Sequence, residues 1–305
     1  MAKHSRISLA LVLVAVVFSA AIAGGSTLPG RPLAQRVLTQ TPANPRVQTI
    51  QFESKLVGKT LPYNVLLPAN YIQPAARAKH YPVIYLLHGF SGHYTNWLEK
   101  TKLVDYAAGY DFIIVMPEGN DGWYTDSATV PTDKYESYIL QELIPDVEKR
   151  FRAGSDAESR AIAGLSMGGY GAIKFGLKHP ELFALAASLS GAFSAATWEL
   201  KDFGAISNSL RQAFGPANSE TRAANDVPKL TREAKAKNTT LPFFYVDCGT
   251  DDHLFGDNRE FVSLLIELRI PHEYRQLPGS HSWTYWDSQV QEVLRIASKR
   301  FGKSQ

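Results

Sequence analysis

Cysteine is almost absent: the chain of 305 residues has one, Cys248. A lone thiol excludes an intrachain disulfide and the clustered thiolates of a structural zinc site. Net charge is also scarce. Lys and Arg number 32 against 29 Asp and Glu, a formal +3. That balance gives no basic face of the kind nucleic acid requires, so none is expected as a partner. Beyond residue 23 no apolar run is long enough to cross a bilayer, so no stable membrane span is expected there. No repeat or heptad pattern is present, which sets aside solenoids and coiled coils.

What is present is a globular mix, 45% hydrophobic and 20% charged, enough for one large core or two small ones. Aromatic residues are plentiful, with 14 Tyr, 15 Phe and 5 Trp. Such rings suit a large core, and also a cleft for flat or sugar-like ligands.

The N-terminus reads as a targeting segment. Lys3 and Arg6 precede the uncharged apolar residues 7–23, and Ala21-Ile22-Ala23 has the small-x-small form of a cleavage site. Residues 1–23 are therefore expected to be a signal peptide, and the protein secreted or periplasmic. Loss of Lys3 and Arg6 would take the formal charge from +3 to +1. Residues 24–46, rich in Gly, Pro, Thr and Ala, read as a flexible linker.

From Val47 the pattern alternates. Residues 47–52 and 62–68 read as antiparallel edge strands, and 74–80 as a turn. Residues 81–87 and 112–116 are continuous apolar runs, expected of strands buried on both faces. Asn96 is read as the cap of a helix over 97–108. Residues 135–151 have helical spacing, with Tyr138, Ile139, Leu143 and Val147 on one face. Strands are expected at 161–163, 183–189, 242–247 and 272–276, and helices at 170–177, 258–269 and 283–299. Residues 191–240 read as a small cap insertion. Alternating strands and helices predict one α/β domain over 47–303: a mostly parallel open sheet with helices on both faces. Ligands bind such sheets at the carboxyl ends of the strands.

One stretch dominates. Gly164-Leu165-Ser166-Met167-Gly168 is a G-x-S-x-G pentapeptide between a short apolar strand and a helix. In a nucleophile elbow the serine sits on a strained turn and its Oγ projects beyond the sheet. The flanking glycines are needed because a Cβ at either position would crowd the turn. A serine hydroxyl needs a base within hydrogen-bond reach, and the base needs an orienting acid. In the α/β-hydrolase order both follow the serine.

Of eight histidines, His4, His80, His88, His93 and His179 do not fit. His4 lies in the targeting segment, the next three precede the serine, and His179 ends the elbow helix. His272 reads as a strand residue and His253 as a rim residue. His281, in the glycine-bearing turn Pro278-Gly279-Ser280-His281-Ser282-Trp283, is the candidate base. For the acid, Asp247, Asp251 and Asp252 compete after the penultimate strand. Asp252 is the choice and Asp251 the reserve, the carboxylates not engaged by the histidine facing solvent or capping backbone groups. The oxyanion donors are expected to be the backbone N–H groups of Met167 and Phe90. His88 is read as structural. Trp97, Trp123, Trp198 and Trp283 are pocket candidates. The chemistry implies no metal and no organic cofactor.

These residues resemble the putative-esterase family of α/β hydrolases, which includes esterase D, feruloyl and acetyl esterases and mycolyltransferases. The resemblance rests on Tyr85-Leu86-Leu87-His88-Gly89 with Trp97, on Tyr135-Glu136-Ser137-Tyr138 with Gln141-Glu142-Leu143, and on Gly164 to Tyr170. It rests equally on Cys248-Gly249-Thr250-Asp251-Asp252 and on Gly279-Ser280-His281-Ser282-Trp283. The resemblance implies Ser166 as nucleophile, His281 as base and, as fourth residue of a G-x-x-D turn, Asp252 as acid. It implies a serine esterase acting on a small-molecule or carbohydrate ester, short-acyl, acetyl or feruloyl. The alternatives it carries are an acyltransferase of the mycolyltransferase type and an S-formylglutathione hydrolase-like thioesterase. Formylglutathione hydrolases have a Cys-containing oxyanion loop where this chain has Phe90-Ser91-Gly92-His93, and mycolyltransferases lack the His88-Gly89 form.

Overall fold

The structure, a computed structural model, describes residues 44–198 and 204–301. The signal peptide and residues 24–43 of the linker reading lie outside them. Arg46, at the end of that linker, is already held: its guanidinium donates to the carbonyls of Leu67, Val104 and Ala107.

The chain opens with β1 (Val47–Ile50), a short ribbon of β2 (Glu53–Ser54) and β3 (Lys59–Thr60), and β4 (Tyr63–Leu66). Next come β5 (Val83–Leu87), the short helices α1 (Asn96–Lys100) and α2 (Leu103–Tyr106), and β6 (Ile113–Pro117). Then follow α3 (Tyr135–Ser137), α4 (Ile144–Arg150), β7 (Arg160–Leu165), α5 (Met167–Lys178) and β8 (Leu185–Leu189). Residues 204–240 carry α6 (Ala205–Phe214), α7 (Glu220–Ala224) and α8 (Val227–Ala236). The chain continues through β9 (Phe243–Gly249), α9 (Phe255–Glu267), β10 (His272–Leu277) and α10 (Trp283–Phe301).

Eight strands form one sheet in the order β1-β4-β6-β5-β7-β8-β9-β10. Strand β4 runs antiparallel to β1 and to β6, and from β6 through β5, β7, β8 and β9 to β10 every neighbouring pair is parallel. The α/β-hydrolase-type architecture expected from the alternation is therefore present. Side-chain alternation along each strand divides the apolar residues between two cores. Val83, Tyr85, Leu87, Ile113, Val115 and Ile162 face one core with α4, α5 and α9. Ile84, Leu86, Ile114, Met116, Ala161 and Ala163 face the other with α1, α2 and α10. Among the described residues no helix is long and apolar enough to cross a membrane.

Three local expectations are corrected. Residues 62–68 do not form an edge: β4 is wholly buried between β1 and β6. The helix over 97–108 is broken into α1 and α2, and Asn96 is its first residue, with Thr95 before it. The Asn96 side chain accepts from the amide of His93 instead, bracing the loop ahead of the helix. The helix over 135–151 contains a π-helical segment, Tyr138–Leu143, ending just before Pro145. Proline donates no N–H and its ring presses on the preceding turn, so the helix widens there.

The turn between β7 and α5 is tight. Ser166 has φ 53° and ψ −115°, a left-handed conformation unusual for a residue with a side chain. A Cβ on Gly164 would come within 2.5 Å of Gly168 backbone, and one on Gly168 within 2.6 Å of the His88 carbonyl oxygen. Beneath this turn, Lys174 of α5 is fully buried. Its ammonium donates to the Tyr124 carbonyl, to Thr125 Oγ1 at 2.8 Å and to Glu136 Oε2 at 2.9 Å. Burial pushes Lys174 down to about 8, against the opposing pull of the Glu136 carboxylate. Burial by itself would raise the Glu136 carboxyl; Lys174, His179 and Lys178 outweigh it and hold the group well below the usual carboxylate range.

Two outcomes follow from this packing. Gly168→Ala is expected to destroy the elbow, seen as loss of soluble, cooperatively unfolding protein, because its Cβ meets backbone and not a side chain that can move. Glu136→Gln is expected to lower stability in urea unfolding by about 3–5 kcal/mol at pH 7, as it leaves Lys174 buried without its counter-charge. Glu136 has a lower pKa folded than unfolded. Its stabilisation is therefore present above the unfolded carboxylate pKa of about 4.3 and is lost as pH falls below it. The acid limb of the parent's stability curve should be correspondingly flatter in the variant.

Candidate active site

Four loops meet at the carboxyl ends of β5, β7, β9 and β10, and each brings one part of a polar site. The Ser166 amide donates to the Leu189 carbonyl at 2.9 Å, which fixes the turn against β8. His281 Nε2 lies 3.1 Å from Ser166 Oγ. Its Nδ1 lies 2.9 and 3.0 Å from the two carboxylate oxygens of Asp252. Asp252 is buried, and its Oδ1 also accepts the Leu254 amide at 2.8 Å. Burial would raise this carboxyl, but the bonds from His281 and the Leu254 amide prevail and hold it below its ordinary value. An ionised Asp252 favours the imidazole tautomer with its proton on Nδ1, leaving Nε2 to accept from the serine.

The three side chains singled out from the sequence thus meet. The other two aspartates of the turn diverge. Asp251 is exposed. Asp247 neither faces solvent nor caps a backbone group: it is fully buried and accepts from the hydroxyls of Tyr245, at 2.8 Å, and Tyr285. Burial pushes its carboxyl up to about 6 despite those bonds. Asp247 thereby ties α10 to the sheet close to the turn carrying His281.

The loop after β5 is held from below. His88 is buried; its Nε2 accepts the Gly119 amide at 2.9 Å, and its Nδ1 lies 2.8 Å from the Gly89 carbonyl. The Tyr124 hydroxyl donates to the His88 carbonyl at 3.0 Å. Ser91, at φ 57°, donates its amide to Asp121 Oδ1 at 2.6 Å. Glu118 lies 3.3 Å from His93 Nδ1 and accepts the amides of Asn120 and Tyr94. Gly89 sits so close to the elbow that a Cβ would meet the Leu165 side chain at 2.6 Å. Phe90 is half-buried in this loop, and Met167 is the first residue of α5, with its N–H at the positive end of the helix.

A cleft of about 300 Å³ opens over Ser166. Its walls include Phe90, Asn96, Leu165, His281, Trp283 and Trp286. Among the four tryptophans expected at a pocket, only Trp283 lines it. Trp97 is fully buried, its Nε1 donating to the Leu87 carbonyl at 3.1 Å. Trp123 is buried with its Nε1 on Ser209 Oγ at 3.0 Å, and Trp198 packs on the Trp123 ring. Larger cavities of about 420 and 650 Å³ lie around Phe243 at the start of β9, the opposite end of the sheet, and neither reaches Ser166. None of the described residues of 191–240 lines the cleft over Ser166.

Sequence reasoning missed Trp286. Its ring stands edge-on to His281 at 4.8 Å, and its Nε1 donates to Ser190 Oγ at 3.2 Å. The available signal was its spacing, three residues after Trp283 and so on the same helix face. Glu118 and Asp121 were missed too, because the amides they hold in the loop after β5, those of Tyr94 and Ser91, lie 24 and 30 residues away along the chain. Among the described residues, one group of three can bring metal-ligating atoms together: Asp252, His253 and His281.

Comparison with known proteins agrees with this architecture. The chain is 28% identical over 262 residues to an acetyl esterase of Caldicellulosiruptor saccharolyticus, covering 83% of this chain and 98% of that one. The structure matches FphF, a fluorophosphonate-binding serine hydrolase of Staphylococcus aureus solved with substrate bound. The TM-score is 0.74, at 28% identity over 83% of this chain and 98% of that one. A solved ferulic acid esterase matches with a TM-score of 0.70 at 30% identity, again over 83% and 98%. Residues 54–296 match the family model described as Putative esterase, and the chain belongs to that family.

Proposed function

We propose that the protein is a secreted serine esterase that hydrolyses carboxylic esters through an acyl-enzyme intermediate. The observation that carries this reading is His281 placed between Ser166 Oγ and the Asp252 carboxylate, 3.1 Å from one and 2.9 Å from the other.

In this reading Ser166 Oγ attacks the ester carbonyl as His281 Nε2 takes its proton. The Asp252 carboxylate holds the tautomer and stabilises the imidazolium. The amides of Met167 and Phe90 receive the developing oxyanion; one such donor is worth about 10²–10³ in rate in well-studied hydrolases. His281 returns the proton to the leaving alcohol. Water then attacks the acyl group with His281 again as base, and the free acid leaves. The balance closes on protein side chains and water.

The cleft supports a substrate class. About 300 Å³ is at the small end for ligand pockets and suits a short or flat acyl group, with the rings of Phe90, Trp283 and Trp286 as walls. The acetyl esterase and ferulic acid esterase among its relatives point the same way, to acetyl or feruloyl esters of carbohydrates. Export is proposed from the targeting pattern of residues 1–23.

The test is steady-state hydrolysis of nitrophenyl acetate, acetylated sugar and methyl ferulate. Ser166→Ala is expected to lower kcat by about 10⁴-fold or more with the fold intact, and Asp252→Asn by about 10⁴-fold, because the tautomer is then wrong. Undiminished turnover by Ser166→Ala would remove the assignment.

A further inference from the structure

Asp252 Oδ1 faces two imidazoles, not one. His281 Nδ1 lies 3.0 Å from it and His253 Nδ1 3.7 Å. The two rings are 4.5 Å apart between centroids, tilted by 58°. Ligand atoms of all three side chains fall within 4.8 Å of one another. Their accessibility is graded: the Asp252 side chain is 0% exposed, His281 22% and His253 69%. His253 has no part in the proposed proton transfers, yet it stands at the solvent side of the group that performs them.

Two imidazoles and one carboxylate are the ligand types of a Zn²⁺ site with an open fourth position. Bonds of about 2.1 Å in tetrahedral geometry place ligand atoms about 3.4 Å apart. The two separations from Oδ1, 3.0 and 3.7 Å, lie on either side of that value. The remaining adjustment falls on His253, the most exposed of the three. The carboxylate is fixed by the Leu254 amide, which donates to the same oxygen at 2.8 Å.

We propose that Asp252, His253 and His281 form an inhibitory site for a borderline transition-metal cation, Zn²⁺ being the best fit. The proposal rests on His281 acting as the base. In the resting state the His281 proton is on Nδ1. For the metal to bind there, that proton must leave Nδ1, and in the neutral imidazole it is carried by Nε2 instead. Each bond from a side chain to the metal displaces a water of the hydrated cation, and at His281 one N–H bond breaks at Nδ1 as one forms at Nε2, with no oxidation or reduction. An Nε2 that carries a proton donates to Ser166 and cannot take its proton. The bound cation also neutralises the Asp252 carboxylate that would stabilise an imidazolium. Metal occupancy therefore switches hydrolysis off without touching the serine.

The experiment uses the untagged full chain in a metal-buffered assay, with free Zn²⁺ varied and Mg²⁺ as control. Hydrolysis is expected to fall with Zn²⁺, to return with EDTA and to be indifferent to Mg²⁺. His253→Ala should keep its metal-free rate within about twofold and need at least about tenfold more Zn²⁺ for half inhibition. Calorimetric Zn²⁺ titration of Ser166→Ala should show one site, weakened to the same degree when His253→Ala is added. Equal Zn²⁺ sensitivity with and without His253, or no inhibition, overturns the proposal. Zn²⁺ binding that depends on His253 in a protein without esterase activity would instead leave the metal site standing and overturn the catalytic reading.

Discussion

The site depends on one bridge: an imidazole held between a hydroxyl on one turn and a buried carboxylate on another. Its partners are 115 and 29 residues away along the chain. Only a shared sheet end brings them together. Strands β7, β9 and β10 run parallel, so the turns that follow them open on the same side. The elbow sets the first point by forcing Ser166 into a left-handed conformation. The Leu254 amide sets the second by holding Asp252. The third is set by α10, which is anchored through the Tyr285 hydroxyl on Asp247 and the Trp286 ring beside the imidazole. Asp252 is buried, and low local dielectric strengthens its polar contacts.

A second network carries the loop expected to meet the oxyanion. It starts at the buried pair of Lys174 and Glu136, passes through the Tyr124 carbonyl that Lys174 binds, and reaches the His88 carbonyl through the Tyr124 hydroxyl. Asp121 and Glu118 hold the far side of the loop by its amides. The elbow helix and the loop are thus braced by the same buried ammonium. A rigid loop is what preorganised donors require, since a donor that must reorganise during the reaction loses most of its electrostatic advantage.

Much of this was legible because local chemistry dictates it. A serine between glycines after an apolar strand has few other uses, and continuous runs such as residues 83–87 fit strands covered on both faces. The burial of β4 was not legible: Tyr63-Asn64-Val65 alternates as an edge strand does, and only the position of β1 outside it closes it in. The π segment turned on Pro145, whose effect on the preceding turn depends on how the helix packs. The tryptophans misled for a related reason. An indole is as useful in a core as in a cleft, and Trp97 and Trp123 have their N–H groups satisfied inside the protein. The roles of Glu118, Asp121 and Asp247 were hidden because each serves a partner far away in sequence.

The most direct measurement is to react the purified chain with a fluorophosphonate and locate the adduct by peptide mass spectrometry. The expected result is a single phosphonylated residue, Ser166, with labelling slowed by orders of magnitude in His281→Ala. Label on another residue, or esterase turnover that persists after Ser166 fails to react, would contradict it.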